Sequence, residues 1–411
     1  MTKGGSISAR RRPSGRLIVR VVAMLAGALT LAGCEGRQQA DPSPQAQTGT
    51  IPLDGLSPSQ KAAFIRGAKQ FERSFTIPEG LGPLFNQSSC VSCHPGNGRG
   101  TPATTLIRFS KKDDPVLHLG GPQLQDKSIP GVPPEVLPRY VDTSVRMPPQ
   151  IFGAGLIESI PEEALIALAD PDDANGDGIS GRVNLVKRTV SEGKGGGRVV
   201  GRFGLKANVS SLLDQVVSAY REDIGITSDF LPKEVPHPQF KGGTVGDIVP
   251  DPELSASQVR DVVTYVRFLA PPPRGEITDE VRRGEALFTQ IGCVSCHVPT
   301  LKTGPNPIPA LNEVEVRLYS DLLLHDVGYF LGDGQQEEGD DGYEWRTSPL
   351  WGLRLAGDQH GGTPFYMHDG RTSDLREVIW MHLGEATEAR NRFLSLLEGD
   401  QKALIAFLMS L

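Results

Sequence analysis

The chain has 411 residues, with 42 Lys and Arg against 49 Asp and Glu and a formal net charge of −7. No basic patch stands out beyond the extreme N-terminus, which excludes a nucleic-acid partner, and the length suits two domains. Glycine (48) and proline (33) are abundant while aromatics make up only 6%, so loops dominate and something other than large side chains fills much of the interior.

Residues 1–33 read as an export signal. Arg10, Arg11, Arg12, Arg16 and Arg20 form a positive start, and residues 17–31 form an apolar stretch too short for a spanning helix. The stretch ends in Leu31-Ala32-Gly33-Cys34, which resembles a bacterial lipobox, so Cys34 is the expected lipidation site. Residues 34–54 follow as a disordered tether rich in Gln, Pro, Ser and Ala. The expected location is the bacterial periplasm, with the chain held on a membrane as a lipoprotein. Glu35 after the lipobox leans towards the outer membrane.

Ser57-Pro58 is an N-cap and first-turn pair that opens a helix containing Arg66-Gly67-Ala68-Lys69-Gln70-Phe71. The pentad Cys90-Val91-Ser92-Cys93-His94 follows. Asp173-Ala174-Asn175-Gly176-Asp177-Gly178-Ile179 has the spacing of the first half of a calcium loop, with Asp173, Asn175, Asp177 and the Ile179 carbonyl as ligands, but Asn184 replaces the usual closing glutamate. A polar turn without metal is the alternative. Residues 193–197 read as a mobile glycine tip. Over 255–269, Val259, Val262, Val263 and Val266 recur at helical spacing. Ala270-Pro271-Pro272-Pro273-Arg274-Gly275 is a stiff linker.

The pattern then repeats. Thr278 caps a helix containing Arg283-Gly284-Glu285-Ala286-Leu287-Phe288, and the pentad Cys293-Val294-Ser295-Cys296-His297 comes next. The acidic, glycine-rich residues 332–342 are expected to be solvated. A helix should start near Ser373 or Asp374, and residues 400–411 close the chain as another, with Leu404, Ile405 and Leu408 on one face. The predicted fold class is therefore mainly α: two cytochrome c-like haem domains with long loops, at 55–270 and 275–411, the first with a large insertion.

Cys-x-x-Cys-His is the attachment motif of c-type haem: two thioethers from the cysteines and a proximal imidazole from the histidine. Both pentads match in full, and the remaining cysteine is Cys34. Zinc would not require a histidine after each pair, and a redox dithiol would sit in a βαβ setting. Two covalent haems are thus expected, with His94 and His297 as proximal ligands.

Four further segments carry a family resemblance: Gly121-Pro122-Gln123-Leu124-Gln125-Asp126, Arg146-Met147-Pro148-Pro149-Gln150-Ile151-Phe152-Gly153, Gly201-Arg202-Phe203-Gly204 and Met367-His368-Asp369-Gly370-Arg371. Together with the pentads they resemble the di-haem oxidoreductases related to bacterial di-haem cytochrome c peroxidases and MauG. In those relatives a methionine or a tyrosine on the helix after His-Asp-Gly binds the C-terminal haem. Here the position falls on His382, with Met381 beside it. Adjacent helical residues diverge by about 100°, so only one can reach the iron.

The resemblance also implies a distal pocket at the N-terminal haem. Glu158 is the expected acid–base residue, Gln125 and Gln123 supply polar contacts, and His118 is a rival that would close that iron. His325 either lines the C-terminal pocket or is a structural histidine. His368 holds the Asp-Gly turn, His237 and His360 carry no signal, and Trp345 and Trp351 pack on porphyrin or relay electrons. The implied activity is hydrogen peroxide reduction with electrons from a small donor protein of cytochrome c or cupredoxin type. A di-haem electron carrier, or a MauG-like oxidase of a protein or thiol, are the alternatives.

Overall fold

Local sequence accounts for the helices that frame each pentad. In the computed structural model, which describes residues 50–112, 114–190, 197–240, 246–337 and 340–411, α1 spans Pro58–Glu72. The Ser57 hydroxyl accepts from Gln60 N while the Gln60 side chain caps Ser57 N, so two otherwise unpaired amides of the first turn are satisfied. The short α2 (Cys90–Cys93) carries the first pentad. Next come α3 (Ala154–Glu158), α4 (Glu162–Ile166), α5 (Leu212–Ala219) and α6 (Ala256–Phe268). A second capping box, Ser255 with Gln258, starts α6. Beyond the proline linker lie α7 (Asp279–Gln290), capped by Thr278, α8 (Leu375–Met381), capped by Asp374, α9 (Thr387–Ser395) and α10 (Glu398–Leu408).

Regular structure is mostly helical, with small two-stranded antiparallel sheets. The longest pairs Leu106–Ser110 with Asp142–Arg146, placing Leu106 opposite Arg146 and Ser110 opposite Asp142. Another pairs Leu324–Asp326 with Glu344–Arg346. No helix of the described residues is long and apolar enough to cross a membrane. The export signal, Cys34, nearly all of the tether and most of the glycine tip at 193–197 lie outside the described residues.

The duplicated Arg-Gly-x-x-x-Phe has a packing reason. A Cβ on Gly67 would lie 2.1 Å from Asp261 O on α6, and one on Gly284 would lie 1.9 Å from Ala403 O on α10. Each glycine therefore lets two helix backbones touch. Four residues on, the phenylalanine turns towards the pentad. Phe71 lies 6.4 Å from the His94 ring and 5.2 Å from Tyr265, while Phe288 lies 6.1 Å from His297 and 5.2 Å from Phe407. The arginines pair across the same crossings, Arg66 with Asp261 and Arg283 with Asp400.

One apolar core gathers α1, α3, α5 and α6 and takes in Leu311, Val316, Leu318, Leu322 and Trp351 from beyond the linker. A second gathers α7, α9 and α10 around Phe288, Phe393 and Phe407.

Residues 332–342 depart from the sequence expectation of a solvated loop. The segment folds inward, with Gln335, Glu337 and Asp340 buried. Glu337 accepts from Arg108 Nε at 2.9 Å and Arg146 Nη1 at 3.0 Å. The fully buried Lys206 donates to Asp333 at 3.1 Å and Asp340 at 3.0 Å. The cationic partners lie more than a hundred residues away, so the local charge pattern could not reveal them.

Candidate haem sites

The second pentad faces a cavity of about 390 Å³ lined by Cys293, Cys296 and His297 together with Leu375 and His382 from the α8 segment. His297 Nδ1 lies 2.9 Å from the Tyr319 carbonyl. Burial lowers the His297 pKa to about 4. The ring is therefore neutral, Nδ1–H donates, and Nε2 keeps its lone pair. His382 repeats the arrangement: it is the residue that caps the C-terminus of α8, its Nδ1 lies 2.6 Å from the Val378 carbonyl, and burial lowers its pKa. Its Nε2 is likewise left as an acceptor. Met381 does not line this cavity. Two neutral imidazoles, each oriented by a backbone carbonyl, thus belong to one cavity.

Two arginines test whether haem fits here. Arg99 and Arg346 line the same cavity, and burial lowers both to about 10. Their partners are carbonyls: Met367 O for Arg99 at 2.5 Å, Gly204 O and Thr347 O for Arg346 at 2.9 and 3.3 Å. No carboxylate of the described residues is in ion-pair range of either. Buried guanidinium groups without an anion are costly, and the two propionates of a haem are anions of the right kind. The residues fit the group.

The four pentad thiols are chemically consistent with this. Burial pushes Cys90, Cys93 and Cys293 up to about 12 and raises Cys296. Such thiols stay protonated, which disfavours reactive dithiols.

His325 sits beside Cys296, with Nε2 2.8 Å from Asp321 and Nδ1 2.7 Å from Glu385. Burial alone would lower its pKa, but hydrogen bonds to Asp321, Cys296 and Glu385 outweigh it and push it up to about 12. It is a buried imidazolium with both nitrogens engaged. His368 lines the cavity and stacks on Trp345 at 4.1 Å, and its Nε2 accepts from Arg371 at 3.3 Å. Trp351 lines the same cavity and packs against Gly153.

At the first pentad, burial lowers His94 to about 4, partly opposed by the backbone at Gly98 and Pro149, and its Nδ1 is buried without a hydrogen-bond partner. A neutral imidazole beside two protonated thiols again fits haem attachment. Residues 123–127 lie against the chain that leads into this pentad. Asn86 Nδ2 donates to Leu124 O at 2.9 Å, and Gln123 Nε2 donates to Asp223 Oδ1 at 2.5 Å. Gln125 is buried, with its Nε2 bonded to Glu222 O at 2.9 Å.

Glu135 escaped the sequence reading. It is buried, Gln125 N donates to its Oε2 at 2.6 Å, and its Oε1 has no partner. Burial raises it to about 7, with the Gln125 amide pulling the other way. A Gln ten positions before a Glu is no signal by itself; the burial that singles out Glu135 is set by tertiary contacts.

Glu158, expected as the acid–base residue, has both oxygens engaged. Oε2 accepts from Arg267 Nε at 2.7 Å and Oε1 from Leu212 N at 2.9 Å, where it caps α5. His118 is exposed on a short turn. His237 bonds Pro133 O and takes Gln239 N, and His360 bonds Arg99 O. Among the described residues, His382 lines the cavity of the second pentad, His118 is exposed, and His237 and His325 have both ring nitrogens engaged. The Asp173–Ile179 segment forms self-contained turns. Asp173 accepts from Gly178 N at 3.1 Å, Asn175 from Asp177 N at 2.8 Å and Asp177 from Ile179 N at 3.0 Å.

The family model described as "Di-haem oxidoreductase, putative peroxidase" matches residues 124–411. No curated protein matches the chain. Two of the solved structures that align with the chain show its low level of similarity. A xenon-pressurised hydrazine synthase from Kuenenia stuttgartiensis shares 15% identity over 97% of this chain and 100% of its own, with a TM-score of 0.39. A MauG-like protein associated with microbial copper homeostasis shares 14% identity over 88% and 92%, with a TM-score of 0.38. By the extent of the family match, which spans well over half its length and includes the second pentad and His382, the chain belongs to the di-haem oxidoreductase family.

Proposed function

We propose that this di-haem oxidoreductase reduces hydrogen peroxide to water, and that its two sites have different tasks. Haem supplies, when bound, an iron that takes up electrons and binds small oxygen ligands. Cys90, Cys93, Cys293 and Cys296 would hold the two groups as thioethers, with His94 and His297 beneath the irons. At the second site His382 supplies a second imidazole, which suits storing and passing electrons. At the first site the expected rival ligand, His118, is exposed on a turn, which suits an iron left open to substrate. That asymmetry between the sites is the observation that carries the reading.

The chain's own proton chemistry sits on the first side. Reducing one peroxide consumes two electrons and two protons and yields two waters. A carboxyl with a pKa near 7 can both give and take a proton at neutral pH, and the unpartnered Oε1 of Glu135 can face a ligand while Gln125 N holds Oε2. The acid–base role thus passes from Glu158 to Glu135, with Gln125 positioning it. The electrons come from a small cytochrome c or cupredoxin in the periplasm, where Cys34 anchors the chain to a membrane. The Asp173–Ile179 loop takes calcium through Asp173, Asn175, Asp177 and the Ile179 carbonyl.

Electron paramagnetic resonance of the fully oxidised and one-electron-reduced protein tests the asymmetry. The expected result is one low-spin signal that ignores cyanide, from the second site, and a signal that changes on adding cyanide or peroxide. Two low-spin signals indifferent to both would leave a di-haem electron carrier.

A further inference from the structure

We propose that Glu234, Asp247 and Asp251 form a binding site for a hard divalent cation, calcium in preference to magnesium, separate from both pentads and from the Asp173–Ile179 loop. A carboxylate oxygen from each of the three lies within 4.8 Å of the others. Acidic clusters are common on protein surfaces, but this one reaches inside. Glu234 is only 8% exposed, and its Oε1 has no hydrogen-bond partner. No Lys or Arg of the described residues is in ion-pair range of the three carboxylates.

A fourth carboxylate adjoins them. Thr227 Oγ1 lies 2.8 Å from Asp251 Oδ1 and 2.5 Å from Glu253 Oε2. Thr227 N also donates to Glu253 Oε2 at 2.8 Å, which leaves the hydroxyl proton for Asp251. Glu253 Oε1 is buried without a partner as well. Burial and the neighbouring Glu253, Asp251 and Asp247 raise the Glu234 pKa to about 9, against a weaker pull from Arg221. Two buried carboxylate oxygens without a donor, Glu234 Oε1 and Glu253 Oε1, beside the carboxylates of Asp247 and Asp251, are what a cation would resolve.

The chemistry of the donors selects the ion. All are oxygens, with no histidine or cysteine, which disfavours zinc and copper. They come from irregular chain, and Asp251 is exposed, leaving room for water. Calcium accepts six to eight oxygens in loose geometry, whereas magnesium demands a tight octahedron.

Occupancy would brace the first haem site. His237 Nε2 bonds Pro133 O at 2.8 Å, and a Cβ on Gly246 would meet Val132 at 2.4 Å. The cluster thus sits on the chain that backs Glu135, and Leu254 N bonds Thr227 O at 3.2 Å just before α6.

Binding at this cluster does not depend on peroxide chemistry, so the test reads melting. The full-length holo-protein is stripped with EDTA and melted with calcium chloride, magnesium chloride or neither, followed by circular dichroism. Calcium should raise the Tm by several degrees, and the D173A/D177A double variant should keep most of that rise. Glu234→Gln should lose the rise retained by the double variant, while melting in EDTA at or above the wild-type temperature, because the amide is uncharged in the cluster without having to take up a proton on folding. Should Glu234→Gln fail to fold, the exposed Asp251→Asn makes the same comparison. A wild type indifferent to calcium, or a Glu234→Gln or Asp251→Asn variant with the full wild-type response, overturns the site.

Discussion

At the scale of single residues, Glu135 gives the sharpest expectation. Its folded pKa near 7 stands above the ordinary value of 4.5, so the folded protein holds this proton longer than the unfolded chain does. Below about pH 4.5 both states are protonated and the group has no effect. Between about 4.5 and 7 stability falls as pH rises, and above 7 the full penalty, roughly 3 kcal/mol, is in place. Glu135→Gln keeps an oxygen for the Gln125 amide but cannot ionise. It should therefore be more stable than wild type at pH 8 by up to about 3 kcal/mol in urea unfolding, with the difference vanishing towards pH 4.5. Peroxide turnover should drop by about 10²–10⁴-fold, and unchanged turnover would remove Glu135 from the proposed mechanism. The pentads were legible because Cys-x-x-Cys-His is a local motif. His382 was singled out by the resemblance after His-Asp-Gly, and the structure places it in the cavity of the second pentad as the C-cap of α8 rather than within the helix. Glu135 was not legible: no motif marks it, and it is buried where residues 129–135 pack against His237, Pro238 and Gly246.

At the scale of elements, the glycine crossings decide how the pentads are roofed. Alanine would gain about 1 kcal/mol of helix propensity at either site. The added methyl would meet a backbone oxygen, at 2.1 Å for Gly67 and 1.9 Å for Gly284, and backbone cannot step aside as a side chain can. Overpacking of this kind costs about 1–3 kcal/mol or more, so the clash should win. Gly67→Ala and Gly284→Ala are each expected to lower the unfolding free energy by about 2 kcal/mol in guanidinium titration, and the first should also loosen Phe71 over His94. Variants as stable as wild type would show that the helices can separate without loss. The repeated Arg-Gly-x-x-x-Phe showed in the sequence that something is duplicated. That the duplicated feature is a backbone-to-backbone contact required the helices to be seen side by side.

For the whole molecule, sequence and structure diverge most in the acidic segment at 332–342. Burial would raise Glu337, but Arg108 and Arg146 hold its carboxyl well below the usual range, so it stays charged inside the protein. Lys206 lies fully buried between Asp333 and Asp340 and donates to both. Removing one member of such a set leaves a bare buried charge, which is why these groups are present together or not at all. Charge runs read along the chain identify which residues are ionic, but the fold decides which are paired.

Leu311, Val316, Leu318, Leu322 and Trp351 fill a core otherwise built from buried residues before the linker, so the proline run is a poor place to cut. Each of these side chains is worth about 1.5–3 kcal/mol of burial, together comparable with the whole stability of an ordinary domain, about 5–15 kcal/mol. Expressed alone, residues 50–270 should give a chain without a cooperative melting transition. A soluble fragment with a sharp melt would instead show that the first haem unit is self-sufficient, and that the tandem arrangement is a partnership of two independent proteins joined end to end.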